Sequence, residues 1–229
     1  MKIGGLQKVS LIDYPGLICA IVFSQGCNFR CPYCHNPELV EPRLFRADLP
    51  EKDVLDFLST RRGKLDAVSI TGGEPTLQGD LQSFIVKLKK MGFAIKLDTN
   101  GSQPEVIKTL LAEKLLDFIA LDVKGPLEKY SSIINAKIDS AAITASIKLV
   151  LKSGIPYEFR TTVVKSQLTE KDLTGIAKML RGADKFILQQ FVPVKTLDKK
   201  FLKENSYSSQ EWEKIKKRLE KEIPSVIVR

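Results

Sequence analysis

The stretch LICAIVFSQGCNFRCPYCHNP, residues 17–37, joins two unlike halves. Its first eight residues, LICAIVFS (17–24), are a short apolar run of the kind that becomes a buried strand. The rest gathers Cys27, Cys31 and Cys34, three of the four cysteines in the chain, and His35, its single histidine. A strand that runs straight into a ligand-bearing loop suits an α/β sheet of parallel strands, where chemistry collects beyond the C-terminal strand ends.

Working outward, the same alternation repeats. AVSIT (67–71), FAIKLDT (93–99), DFIALDVK (117–124), PYEFRTTVV (156–164) and KFILQQFV (185–192) read as further strands. Between them lie helical patterns at 49–62, 79–91, 104–114, 140–153 and 169–182, and another at 208–222 precedes SVIVR, a final strand. Pro104 suits a first helical turn, Gly92 and Gly154 suit helix ends, and Thr169 with Asp172 suits a capping pair. Six strand–helix units in succession predict a parallel sheet with outer helices, either a closed or open barrel or a doubly wound sheet. The expected organisation is one domain over 1–229: an edge extension or hairpin over 1–16 with LIDYPG (11–16) as a turn, a core over 17–192, and a C-terminal helix and strand over 193–229. The connection from Ser24 to about Pro50 is too long for an ordinary loop and is expected to be functional.

Unusual polar residues follow the strands in order: Cys27, then GGEP (72–75), DTNG (98–101) and LDVKGP (121–126), with Arg160 inside RTT (160–162). Structural turns alone predict no such ordering, whereas a barrel site does. Taken singly, GGEP reads equally well as a tight turn, and DTNG as a type I′ turn.

Hydrophobic residues make up 43% of 229, enough for a sizeable core. The apolar runs are too short to span a bilayer, and MKIGGLQKVS lacks the pattern of a secretory signal, so a cytoplasmic chain with reduced thiols and no membrane partner is expected. A net charge of +9 permits an acidic partner. The excess, however, sits in mixed runs such as EKIKKRLEKE, which suit solvated helix faces and not a nucleic-acid groove.

In a reducing compartment, clustered cysteines bind metal or do chemistry. Structural zinc wants four closed ligands. Cys19 lies mid-strand and reads as a buried apolar cysteine, and His35 adjoins Cys34, where two neighbours seldom share one small ion. Three thiolates suit one iron–sulfur cluster with an iron left open.

The C-x3-C-x2-C spacing after the first strand, with Tyr33 before the third cysteine, resembles the radical S-adenosylmethionine (SAM) superfamily. With LIDYPG, CHNPEL (34–39), GGEP, DTNG and LDVKGP, the chain resembles the glycyl-radical-enzyme activating enzymes, relatives of pyruvate formate-lyase activase. Among these it is most similar to the activating proteins of anaerobic ribonucleoside-triphosphate reductases.

The resemblance implies a partial (β/α)6 barrel and one 4Fe–4S cluster on Cys27, Cys31 and Cys34. It implies reductive cleavage of SAM to a 5′-deoxyadenosyl radical, which makes a glycyl radical on a partner enzyme. A donor such as flavodoxin or ferredoxin would supply the electron. Tyr33 would lie on the adenine side, with His35 either there or structural to the loop. Gly72 and Gly73 would let the backbone meet the SAM amino group, Glu74 would offset its charge or organise the loop, and Asp98 and Asn100 would stand at the next strand end. Lys124 would face the SAM carboxylate or the cation site. Arg160 is either a buried arginine paired to an acid or a site group that orients SAM. Asp98, Thr99 and Asp122 would hold a monovalent cation. Gln190 or Gln189 stands where that activase has a SAM-contacting histidine. Two alternatives stay open: a radical SAM enzyme acting on a small molecule, such as a 7-carboxy-7-deazaguanine synthase, and a zinc or electron-transfer module.

Overall fold

The computed structural model describes residues 1–229. Eight strands form one sheet in chain order: β1 (Ile3–Ser10), β2 (Cys19–Ser24), β3 (Ala67–Gly72), β4 (Ala94–Thr99), β5 (Phe118–Asp122), β6 (Tyr157–Val163), β7 (Lys185–Gln190) and β8 (Ser225–Val228). The pairs from β2 to β8 are parallel, and β1 pairs antiparallel with β2 as the expected edge hairpin. SVIVR thus extends the parallel sheet by a seventh strand beyond the six strand–helix units.

The sheet curls. In a flat sheet β3 and β7 would stand about 19 Å apart at roughly 4.8 Å per strand. Here Thr71 on β3 and Gln189 on β7 line the same cavity. The fold is therefore a partial barrel, open between β8 and β1.

The major helices are α2 (Glu51–Ser59), α3 (Leu81–Lys90), α4 (Pro104–Ala112), α6 (Ser140–Leu151), α7 (Glu170–Met179) and α8 (Ser209–Leu219); α1 (Pro37–Val40) and α5 (Tyr130–Ile134) are short. Their boundaries follow local chemistry. Thr169 and Asp172 make the reciprocal capping box on α7, and Ser208 with Glu211 repeats it on α8. Pro104 opens α4. After α3, Gly92 adopts φ 92° and lets the chain turn back to β4. Helix α2 is shorter than its apolar spacing predicts, because Thr60 folds back onto the Phe57 carbonyl and closes the last turn.

Two apolar layers result. The large one lies between the outer face of the sheet and the helices, with Phe84, Leu88, Ile107, Ile147 and Phe186 fully buried. A small one lies inside the barrel and joins Cys19, Ile21, Ala67, Phe118, Ala120 and Tyr14. Cys19 is thus the buried apolar cysteine expected, although it opens β2 and does not lie mid-strand, because Leu17 and Ile18 fall before the strand. The LIDYPG turn carries Tyr14 against Phe118, ring centroids 5.7 Å apart, at the end of the barrel where β2 begins. No helix is long and apolar enough to cross a membrane.

The long connection after β2 is structured. It contains α1 and a short turn of 3-10 helix (Pro42–Leu44), and the Leu49 N–H donates to the Ile3 carbonyl (2.8 Å).

Candidate active site

Parallel register sets which side chains enter the barrel. Pairing places Ser69, Lys96 and Phe118 in one layer, Asp98 beside Ala120 and Glu158, Asp122 beside Arg160, and Thr162 beside Gln189. Beyond these strand ends lies a cavity of about 440 Å³, the size of a small-molecule site. It is lined by Cys27, Cys31, Cys34, Tyr33, His35, Gly72, Gly73, Glu74, Asp98, Thr99, Asn100, Asp122, Lys124 and Gln190, together with Gln189. Of the residues expected from sequence, only Arg160 is not among the lining.

The cysteine loop is stiffened by its own backbone. Arg30 donates to the carbonyls of Cys27 (2.6 Å) and Phe29 (2.9 Å). The Phe29 N–H points at the Cys27 sulfur (3.4 Å), a contact that favours thiolate over thiol. Burial pushes the free thiols up, Cys27 to about 12 and Cys31 to about 11, so holding a metal requires it to displace their protons. Three thiol donors from one loop line the cavity, a donor set that suits an iron–sulfur cluster with an iron left open better than a closed four-ligand zinc site. His35 stacks on Phe191, 5.5 Å between ring centroids, which makes it part of the wall.

GGEP runs directly beneath this loop. The Gly73 N–H donates to the Ser24 carbonyl (2.9 Å) and the Glu74 N–H to the Gly26 carbonyl (2.8 Å). A Cβ on Gly73 would fall 2.1 Å from the Gly26 oxygen, and one on Gly72, at φ 115°, 2.5 Å from the Ser24 nitrogen. The glycines are therefore required by the crossing of two loops as well as by the cavity they line. Glu74 is buried and accepts from the Thr76 N–H and hydroxyl, the Thr99 hydroxyl (2.7 Å) and the Asn100 N–H (2.7 Å). Burial raises its pKa against these donors. Of the two roles expected for Glu74, the geometry matches the organiser of the loop: it ties the β3 end to the β4 end.

DTNG is not a type I′ turn. That turn needs positive φ at both central residues, and only Gly101 has it. Asn100 instead gives its N–H to Glu74 and its side-chain amide to Asn28 (3.0 Å), beside Cys27.

The far wall is ionic. Asp98 accepts from Lys96 on one oxygen and from Arg160 on the other (3.0 Å). Asp122 accepts from Arg160 (2.8 Å) and Lys124 (3.1 Å). Burial alone would raise the Asp122 pKa, but Arg160 and Lys124 outweigh it and hold the carboxyl well below the usual range. Burial would lower Lys124, and Asp122 outweighs that and raises it. Arg160 is thus the paired buried arginine of the two readings, and it positions Asp98 and Asp122 from behind the cavity. A monovalent cation at Asp98, Thr99 and Asp122 would share its ligands with the protein: each of the four carboxylate oxygens already accepts from Lys96, Arg160 or Lys124, and the Thr99 hydroxyl donates to Glu74.

Thr71, Thr162 and Arg229 are among the lining residues that sequence reasoning did not single out. Thr162 shares the inward register of β6 and β7 with Gln189, its hydroxyl 3.4 Å from the Gln189 amide oxygen. Arg229 follows β8, where its carbonyl accepts from the Gln190 N–H (2.7 Å) and its side chain reaches Glu158 (3.1 Å). Of the two glutamines expected here, Gln189 shares the inward register and both line the cavity. Nothing in the sequence fixes the register of β8.

The arrangement can bind a cluster through three cysteines and a polar, charged cofactor beside it. Comparison with known proteins agrees. Residues 21–180 match the family model described as the radical SAM superfamily. A Methanocaldococcus jannaschii protein named "putative glycyl-radical enzyme activating enzyme" is 36% identical over 99% of this chain and 95% of its own length. A pyruvate formate-lyase-activating enzyme of Clostridium pasteurianum is 29% identical over 86% of this chain and 83% of that one. Among solved structures, Streptococcus suis SuiB bound to S-adenosylmethionine superposes with a TM-score of 0.69 at 15% identity. That match covers 91% of this chain but only 51% of SuiB, and shows the fold alone. The strand-end cysteine loop, the cavity it faces and the family match together place this chain in the radical SAM superfamily, as an enzyme that uses a 4Fe–4S cluster and SAM.

Proposed function

We propose that this enzyme is an activase that creates a glycyl radical on a partner protein, and that the partner is an anaerobic ribonucleoside-triphosphate reductase. When bound, the cluster and SAM supply one-electron cleavage of a carbon–sulfur bond, after which the 5′ carbon takes a hydrogen atom from the partner's glycine. Cys27, Cys31 and Cys34 would hold the cluster. Asp98, Asn100, Asp122 and Lys124, with the GGEP backbone, orient the methionine end of SAM. Tyr33 and His35 close the adenine side, and the walls exclude water.

The observation that carries this reading is likeness along 99% of the chain to a relative named as an activating enzyme, joined to a cavity lined by every site residue expected from the sequence except Arg160. Val192 and Val194, exposed just beyond the Phe191 ring on His35, offer an apolar strip beside the cavity to an incoming peptide loop. Flavodoxin or ferredoxin is the proposed electron donor, and the cytoplasm the compartment, where the thiols stay reduced.

The test is anaerobic incubation of reconstituted protein with reductant, SAM and a candidate reductase, read by electron paramagnetic resonance. A glycyl-radical doublet on the reductase, lost when its glycine is replaced by alanine, is expected. SAM cleavage without any protein radical across candidate partners overturns the proposal and favours a small-molecule substrate.

A further inference from the structure

Beneath the cavity lies a second chamber, lined by Lys96, Glu158, Arg160 and Arg229 with Asp13, Ile12 and Pro15 of the LIDYPG turn; Gln189 faces both. Lys96 is the unexplained residue in it. It sits in the middle of β4, its side chain is 3% exposed, and its register directs it inward between Ser69 and Phe118. Burying a lysine ammonium is costly unless it is paired. Its ion-pair partner is Asp98, with the Phe118 ring 5.9 Å from the ammonium.

We propose that Lys96, backed by Arg160, is a tethered replacement for the alkali cation that the acids at these strand ends would otherwise bind, so that SAM binding here needs no alkali ion. Two observations and one physical argument carry this. Lys96 and Arg160 occupy both oxygens of Asp98, and Arg160 and Lys124 both oxygens of Asp122. The inward acids of this wall, Asp98, Asp122 and Glu158, are already matched by Lys96, Lys124, Arg160 and Arg229. A further cation would therefore enter a cluster whose acids are already paired, and would compete with a protein cation for each ligand it gained. Finally, an ammonium or guanidinium held by its own strand needs no ordering from solution. Lys96 acts through Asp98 and is a positioning residue.

The test measures SAM affinity by equilibrium dialysis on cluster-loaded protein in potassium, sodium or choline chloride at one ionic strength. Wild type is expected to vary less than about twofold, and Lys96→Arg likewise. Lys96→Met, close in shape, is expected to bind SAM about tenfold more weakly in choline, about 1.4 kcal/mol, and to recover in potassium or sodium. Sodium-23 line broadening by Lys96→Met but not by wild type, without SAM, gives a second readout. Wild-type affinity that rises tenfold with an alkali ion overturns the proposal, even if Lys96→Met fails to fold. So does a folded Lys96→Met with wild-type affinity in every salt.

Discussion

The inside of the barrel has a neutral half and a charged half. On β2 and β3 the inward residues are Cys19, Ile21, Phe23, Ala67, Ser69 and Thr71, with no charge among them. On β4, β5 and β6 they include Lys96, Asp98, Asp122, Glu158 and Arg160. The neutral half ends in free thiols and in loops pinned by backbone bonds and Glu74. The charged half ends in acids whose oxygens are all taken. The lesson is a division of labour: one side leaves ligands open for an external group, and the other fixes its polar groups against each other before a ligand arrives. Such preorganisation spares the ligand the work of ordering the site.

Substitutions on the two halves should differ in kind. The largest effect is expected from Cys31→Ala on the open side. Iron and sulfide content and 5′-deoxyadenosine formation should fall to background while far-ultraviolet circular dichroism stays unchanged. Retained cleavage would remove the cysteines from the cluster assignment.

Arg160→Met on the charged side should show the reverse, a loss of stability first. Removing one partner from a buried ionic cluster costs about 3–5 kcal/mol, measurable by denaturant unfolding. The pH dependence follows from Asp122 and Lys124. A carboxyl held low contributes its stability above the ordinary value near 3.9 and loses it only as pH falls through its lowered native value. A raised lysine contributes below about 10.4 and loses it only as pH climbs past its native value. The Arg160→Met penalty should therefore stay constant between about pH 5 and pH 9. A penalty under about 1 kcal/mol, or one that disappears at neutral pH, breaks the comparison.

Gly73→Ala tests the neutral half without touching a charge. The new methyl would press on the Gly26 carbonyl and should cost about 1–3 kcal/mol, as overpacking does, while lowering SAM cleavage by shifting the cysteine loop. Unfolding curves and cleavage rates matching wild type would mean that the two loops are not coupled. The smallest effect is expected from Gln189→Ala. One neutral hydrogen bond is worth about 1 kcal/mol, so SAM should bind about fivefold more weakly, with stability unchanged.

The succession of parallel strands and most of the cavity's polar residues were legible because parallel strands deliver their following loops to one rim, and short motifs mark those loops; the order that closes the strands into a partial barrel came only from the resemblance. What could not be read depends on register or on loop crossing. Lys96 hides within FAIKLDT, where only its pairing between Ser69 and Phe118 reveals an inward ammonium. Arg229 enters the site because β8 adds to β7 in one particular register. Asn-Gly in DTNG suggests a local turn, yet a carboxylate from another loop, Glu74, claims the Asn100 N–H and overrides it. The partners of Asp98 and Asp122 are hidden in part for the same reason: Lys96 and Arg160 reach them from within β4 and β6, and only Lys124 is legible in the local D-x-K pattern.

The open side makes one physical claim above all, that three cysteines hold a cluster one ligand short and the vacancy is for SAM. Electron paramagnetic resonance of the dithionite-reduced, reconstituted protein, before and after adding SAM, tests it directly. The account predicts a 4Fe–4S signal whose g-values shift when SAM binds. A cluster signal indifferent to saturating SAM would contradict it, as would protein that takes up zinc but no iron and sulfide.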